Sequence, residues 1–373
     1  MPLTVLQVLP TLDAGGVERG TVEVARELIR RGHRALVVSS GGRMVPELEA
    51  IGARHISWAI GKKSPLTLNY VRPLRQLLLT EKVDILHARS RLPAWIAYFA
   101  WRKLDTPQRP RFITTVHGPY RVNRYSAIMT RGERVVAISE WIKKYILTNY
   151  PGADPGRIVV VPRGVDPAVY THGWQPDKDW QQRFFKQLPQ LRGKRLLIIA
   201  ARMSRRKGFE DFIHLFPKLL AQDEPVHGVI VGGASPGKRD YLQHLRQTVS
   251  HLGLDAHISF LGHRDDLREV MAMSDIVFNL AVEPEGFGRT TVEALSLGVP
   301  VIGYRHSGIE EVLGRILPQG LVTPSDAEDL LKRTLSFLHS PPAVPKQVPY
   351  TLQAMLGAEL ALYESLAATR GMS

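Results

Sequence analysis

Along the chain, short apolar runs alternate with stretches whose apolar residues recur every three to four positions. Residues 4–9 (TVLQVL) form the first apolar run. Val22, Ala25, Leu28 and Ile29 follow as a helical stripe that Gly32 ends. Further runs at 34–40, 84–88, 112–116, 134–139 and 158–162 predict strands. Such runs, separated by helical patterns, predict a parallel sheet covered on both faces. Residues 166–192 break the rhythm; they are polar with scattered aromatics and read as a connector. The alternation then restarts. Residues 196–200, 228–231, 258–261, 275–281 and 299–304 predict strands, with helices near 208–221, 238–251, 266–273, 290–297 and 326–338. A proline-rich break at 340–349 precedes a last helical stretch over 352–366. The pattern predicts two open α/β units, a first domain at 1–167 and a second at 190–349, joined by a linker at 168–189. Open α/β sheets bind ligands at the carboxyl ends of their strands. Two units therefore imply two binding edges across a cleft, one substrate for each.

The length of 373 residues agrees with two domains. With no cysteine, disulfides, thiolate metal sites and a thiol nucleophile are excluded. The first residues lack the basic segment of a secretory signal, and the longest apolar run, 92–101, is too short to span a bilayer. Charge changes the picture more. The net charge is +14; residues 1–165 hold 26 Lys and Arg against 12 Asp and Glu, while the remainder is balanced at 23 of each. So one-sided a distribution points the first half toward an anionic partner: nucleic acid, a membrane surface or a phosphorylated substrate. A basic surface that serves only solubility is the bland alternative.

Residues 283–298 read EPEGFGRTTVEALSLG and link a predicted strand to a predicted helix. Gly286 and Gly288 flank Phe287, and glycines allow a backbone to approach a ligand closely. Free N–H groups at the helix start attract anions. Glu285 and Glu293 stand on either side of the turn, seven residues between them. Carboxylates beside an anion site serve as acceptors for neutral hydroxyls, which sugars supply. A strand–turn–helix corner with solvated acids would explain the GFG alone, but not this spacing. The stretch resembles the signature of the retaining nucleotide-sugar glycosyltransferases of family 4, and in particular the bacterial lipopolysaccharide-core enzymes.

The resemblance implies a GT-B fold: two Rossmann-like domains with parallel sheets facing each other across a cleft, and a C-terminal helix, 350–370, crossing back to the N-terminal domain. It implies that the second domain binds a nucleotide-diphosphate sugar, with UDP the default nucleotide. Glu293 would accept the ribose hydroxyls and Glu285 those of the transferred sugar. Gly286, Phe287, Gly288 and Thr290 would surround donor sugar and phosphate. Residues 200–208 (AARMSRRKG) follow the first strand of the second domain. A charge run is usually a solvated face, but the family carries Arg and Lys at this separation, so Arg202 and Lys207 are expected on the diphosphate. Fixed cations stabilise the charge that grows on a leaving phosphate. No metal-ligand cluster is visible, and neither metal nor cofactor is expected.

Gly15 and Gly16 follow the first strand but are adjacent, so the dinucleotide fingerprint fails. In the family this loop adjoins the donor. Asp13 and Glu18 would lie near the acceptor or serve the loop itself. His117 ends a predicted strand and precedes Gly118. A lone His is more often structural, but family enzymes place a His-Gly near the transferred sugar, so His117 is expected as a sugar contact. Tyr120, Arg121, Arg124 and Ser139 are further acceptor-side candidates. Arg163 stands where the family's usual pattern has Asn. Ser307 is read as a helix cap or a ligand contact. Gly232 to Lys238 spells G-x-x-x-x-G-K, but Arg239 replaces the hydroxyl residue of a P-loop, which argues against NTPase chemistry.

The reading is a metal-independent retaining hexosyltransferase. It would carry sugar from a nucleotide donor to an anionic, lipid-linked glycan such as the lipopolysaccharide core. It would work peripherally on the cytoplasmic face of the bacterial inner membrane. The alternatives are an epimerase of the same fold, or a non-catalytic basic protein that binds membrane or nucleic acid. No base-reading motif supports nucleic acid.

Overall fold

The computed structural model describes residues 2–13, 15–233 and 239–368. The chain divides into two units. One comprises the residues up to Arg163 together with those from Gln353 onward; the other is Gly164–Leu352.

In the first unit the apolar runs pair as a seven-stranded parallel sheet. Its strands are β1 (Thr4–Val8), β2 (Arg34–Ser39), β3 (Arg54–Ser57), β4 (Ile85–Ala88), β5 (Arg111–Val116), β6 (Arg134–Ala137) and β7 (Ile158–Val160). The order is β3-β2-β1-β4-β5-β6-β7. Helices α1 (Gly16–Arg30), α2 (Val45–Ala50), α3 (Val71–Thr80), α4 (Arg91–Trp101) and α5 (Glu140–Asn149) form the connections. Strand β1 is buried along its whole length, as a strand covered on both faces must be.

The second unit repeats the plan with six parallel strands. They are β8 (Arg195–Ala200), β9 (Val226–Val231), β10 (Ile258–Gly262), β11 (Ile276–Asn279), β12 (Val301–Tyr304) and β13 (Leu321–Val322), ordered β10-β9-β8-β11-β12-β13. Its helices are α6 (Lys178–Gln187), α7 (Phe209–Leu220), α8 (Arg239–His251), α9 (Leu267–Ala272), α10 (Arg289–Ser296), α11 (Ser307–Ile316) and α12 (Ala327–His339). The stretch read as a connector holds α6. Trp180 on α6 donates its indole N–H to Asp266 at 2.9 Å, which ties the helix to the second unit.

The last helix, α13 (Leu352–Ala368), packs against the first unit's sheet. Its apolar pattern conceals two fully buried polar residues, Glu359 and Tyr363. Glu359 pairs with the buried Arg89 guanidinium. Tyr363 donates to Glu359 at 2.8 Å, so its oxygen is left to accept from His87 Nδ1 at 2.7 Å. His87 Nε2 then accepts from Thr115 at 2.6 Å. A removed charge would leave its partner buried and uncompensated, so this chain of bonds fixes the register of α13.

Two short strands escape the hydrophobic pattern. The four residues of β3 are half-exposed, and β13 has only two residues. Both sit at sheet edges, where pairing needs no continuous apolar run.

In each sheet the strand order reverses once: between β1 and β4, and between β8 and β11. At such a reversal the connections leave the two neighbouring strands toward opposite faces of the sheet, and open α/β sheets bind ligands at that edge. The loops concerned in the second unit are 201–208 and 280–288.

Candidate active site

The second unit's two switch-point loops are locked together by close backbone approach. Gly208 has φ +70°, and a Cβ there would stand 1.9 Å from the Leu280 carbonyl oxygen. Only glycine combines that conformation with that contact. Val282 N–H donates to the Arg206 carbonyl at 3.0 Å. The closeness of the loops sets the side-chain chemistry. Lys207 Nζ forms a direct ion pair with Glu285 Oε1. The other carboxylate oxygen, Oε2, accepts from Asn279 Nδ2 at 3.3 Å, and the same amide nitrogen lies 3.0 Å from Thr291 Oγ1 on α10.

Glu285 is also held by its backbone. Its N–H donates to Ser307 Oγ at 3.0 Å, and its carbonyl accepts from Gly308 N–H at 3.0 Å. Ser307 in turn is bonded to His306 Nδ1 at 2.9 Å, while His306 Nε2 reaches the Ala281 carbonyl at 2.7 Å. Since a carbonyl can only accept, the proton is on Nε2; Nδ1 accepts from the Ser307 hydroxyl. The sequence offered Ser307 as a helix cap or a ligand contact. It stands as the first residue of α11 at φ +60°, and its hydroxyl is engaged by the Glu285 loop. A Cβ on Gly308 would lie 2.5 Å from Phe287 N, so the Phe287 backbone needs a glycine opposite.

Phe287 is buried, edge-on to Tyr350 with ring centroids 5.1 Å apart. That contact anchors the turn before α10, which starts after Gly288 at φ +86°. Gly286 is buried, and Thr290 is half-buried in the first turn of α10. Glu293 is buried on the same helix and bonded to Arg289 at 3.2 Å. Arg202 is exposed and close enough to Lys207 to act on its charge. Burial, followed by the charges of Arg202 and Arg206, pushes the Lys207 ammonium down to about 8. Arg206 reaches Glu283 at 3.2 Å, and Arg205 lies over the Tyr241 ring. The structure thus joins Lys207, Glu285, Asn279 and Thr291 in one contact set. Arg202 acts on the charge of Lys207, and Glu293 stands on α10, two residues beyond Thr291. Of the glycine-lysine loop, residues 234–238 lie outside the described residues.

In the first unit, Gly15 precedes α1 at φ +143°. Glu18 curls back over it: a Cβ on Gly15 would meet Glu18 Oε2 at 2.6 Å. Beside Gly16 the space is open. Asp13 accepts from Arg43 N–H at 3.3 Å. His117 leaves the end of β5, and its Nδ1 is bonded to Arg163 Nη2 at 2.8 Å. Burial, Arg163 and Arg89 together hold the imidazole well below its usual range, so it is neutral. A guanidinium can only donate; Nδ1 therefore accepts, and the proton resides on Nε2. That Nε2 is buried without a hydrogen-bond partner. Tyr120 accepts from His117 N–H at 3.4 Å and lies beneath Arg91, 4.8 Å from its ring centre. Arg121 and Arg124 are exposed. Ser139 is fully buried, and its hydroxyl caps α5 by accepting from Ile142 N–H at 3.0 Å.

Sequence reasoning missed Asn279, His306 and Gly208, and did not assign Ser307 its role. Asn279, the last residue of a strand at a reversal point, carried a usable positional signal. His306 carried none, since its task depends on the distant Ala281. Among the described residues, no cluster of three or more His, Cys, Asp or Glu could hold a metal ion. None of the described helices is long and apolar enough to cross a membrane.

Comparisons with known proteins agree with the fold. Residues 14–169 match the family model of Glycosyltransferase Family 4, and residues 181–351 that of Glycosyl transferases group 1. The N-acetyl-alpha-D-glucosaminyl L-malate synthase of Bacillus anthracis is 26% identical over 320 residues, 82% of this chain and 79% of that protein. The crystal structure of a glycosyltransferase from Rickettsia africae ESF-5 superposes with a TM-score of 0.85 at 28% identity, covering 98% of each chain. Anabaena Alr3699/HepE, solved in complex with UDP-glucose, gives a TM-score of 0.77 at 21% identity over the full length of both chains. The chain is a glycosyltransferase of the GT-B fold, built from a Family 4 domain followed by a group 1 domain.

Proposed function

We propose that the chain transfers a hexose from a UDP-sugar, with retention of anomeric configuration and without a metal, to a phosphorylated or lipid-linked glycan. The observation that carries this reading is the Lys207–Glu285 pair at the strand-order reversal of the second sheet. One of its charges suits a departing diphosphate and the other suits sugar hydroxyls. Asn279, Ser307 and Gly308 hold Glu285 in place, so little reorganisation is needed when charge develops. In the proposed reaction the bond from the anomeric carbon to the phosphate oxygen breaks. The acceptor oxygen attacks on the same face, and its proton passes to a phosphate oxygen of the departing UDP. Arg202 and Lys207 offset the charge gathered there. Glu293 holds the ribose, and the Nε2–H of His117 donates to a hydroxyl of the sugar.

The excess positive charge of the first half supports an anionic acceptor. A lipopolysaccharide core is the favoured one, from the sequence resemblance, and would place the enzyme at the cytoplasmic face of a bacterial inner membrane. A second reading, transfer to a small soluble carboxylate, is favoured by the name of the Bacillus anthracis relative. The test has two stages. Thermal shift with UDP, GDP and ADP identifies the nucleotide; stabilisation by none of the three refutes the donor site. Radiolabelled nucleotide sugars are then offered to truncated-core lipopolysaccharide and to L-malate. Label on malate alone replaces the first reading with the second.

A further inference from the structure

We infer that one face of the first unit, formed by residues 62–75 and 99–103, is a docking surface for an anionic lipid bilayer. Leu66 and Leu68 would enter the acyl boundary. The inference rests on the peripheral placement proposed above, and not on the identity of the sugar donor.

Leu66 is 73% exposed and Leu68 53%, more than any other large hydrophobic residue described. Their exposure is built into the local fold. They sit on the 3-10 turn Pro65–Tyr70, which Ser64 caps by accepting from Leu66 N–H at 3.3 Å. Thr67, between the two leucines, is buried and donates to the Lys62 carbonyl at 2.5 Å. Tyr70 stacks on Trp58 at 5.6 Å, and its hydroxyl accepts from Ala59 N–H at 3.3 Å. The turn is thus pinned on its polar side while its leucines face water.

Around them lies a cation field. Leu68, Phe99, Arg72, Arg75, Arg102 and Lys103 line a cavity of about 780 Å³. Lys62 and Lys63 are exposed beside it. Arg102 extends over Phe99, 5.1 Å from its ring centre, with the guanidinium at the surface. No Asp or Glu occurs between Glu49 and Glu81, nor between Asp84 and Asp105. A surface in water for solubility alone would mix the signs of its charges. Exposed leucines within a rim of lysines and arginines match a bilayer with anionic headgroups, where apolar insertion and electrostatic attraction add. A nucleic-acid backbone would use the cations but give the leucines nothing.

The test uses the full-length protein and sedimentation with vesicles. One set is pure phosphatidylcholine; the other is phosphatidylcholine and phosphatidylglycerol in equal parts. Binding to the anionic vesicles alone is expected, weakening as salt rises. Leu66→Ser with Leu68→Ser should lower the partition constant about tenfold, and Lys62→Gln with Lys63→Gln and Arg72→Gln should lower it and flatten the salt dependence. All variants should keep the wild-type melting temperature and its shift with UDP. The inference is overturned if wild-type protein ignores anionic vesicles, if the leucine variant binds as wild type does, or if duplex RNA or DNA displaces the protein from vesicles without effect of the leucine changes. Failure of the nucleotide shift, with vesicle binding intact, would count against the donor site alone.

Discussion

Arg163 Nη2 lies 2.8 Å from His117 Nδ1, joining the loop after β7 to the end of β5. The contact fixes the imidazole tautomer and leaves Nε2–H as the donor. Arg163 Nη1 is 3.9 Å from Glu359 Oε2 and 3.6 Å from Met355 Sδ, so α13 backs the same guanidinium. A residue far along the chain thereby sets the proton position on a candidate sugar contact.

Replacing Arg163 should therefore affect transfer more than donor binding. Arg163→Met should reduce kcat about tenfold or more, because the His117 donor is no longer preorganised toward the sugar. The thermal shift with UDP should persist, since the Lys207 site is untouched. Arg163→Lys should recover part of the rate. Equal loss of UDP binding and turnover would contradict a positioning role.

Lys207 is protonated below about 8 and neutral above it. UDP affinity should fall as pH rises through that value, because the phosphate loses a cation. Lys207→Arg should move the decline beyond the measurable range. Isothermal titration from pH 7 to 9.5 checks both outcomes; an affinity flat over that span would rule out Lys207 as a diphosphate ligand.

Removing the Glu285 carboxylate should leave the fold intact, because its loop is held through backbone bonds to Ser307 and Gly308. Glu285→Ala should cut transfer about a hundredfold or more, as loss of a preorganised polar group does. Transfer assays together with circular dichroism separate this from unfolding. A wild-type rate would remove Glu285 from the site.

Glu359 compensates buried guanidinium charge. Glu359→Gln should destabilise the protein by about 3–5 kcal/mol, the cost of leaving a buried charge without its counterpart. Urea denaturation gives the number. Loss below about 1 kcal/mol would mean that the ion pair adds little beyond packing.

Stability should also fall in mild acid. Burial holds His87 and His117 well below the ordinary 6.5 in the folded chain. Unfolded, both titrate near that value, so the unfolded state binds more protons below it. The stabilising difference is complete above pH 6.5 and declines as pH falls, by up to about 1.4 kcal/mol per pH unit for each histidine. Denaturation midpoints at pH 7.5, 6 and 5 should decrease in that order. His87→Gln should make the decline shallower.

The alternation of apolar runs with helical stripes sufficed to read two open α/β units, because a parallel strand buried on both faces must be apolar throughout. Gly286, Phe287, Gly288, Glu285 and Lys207 stand just beyond predicted strands, where such sheets bind ligands, and took their expected roles from the family resemblance. Nothing local in the chain reveals that Lys207 touches Glu285. Their contact depends on β8 lying beside β11 and on Gly208 allowing the two loops to meet. The same holds for His306 supporting Ser307, for Arg163 orienting His117, and for the charged interior beneath α13. Periodicity records which faces of an element avoid water, and that is a property of neighbouring residues. Pairings between distant side chains arise only when strand order and loop approach have been fixed, so they belonged to the tertiary structure alone.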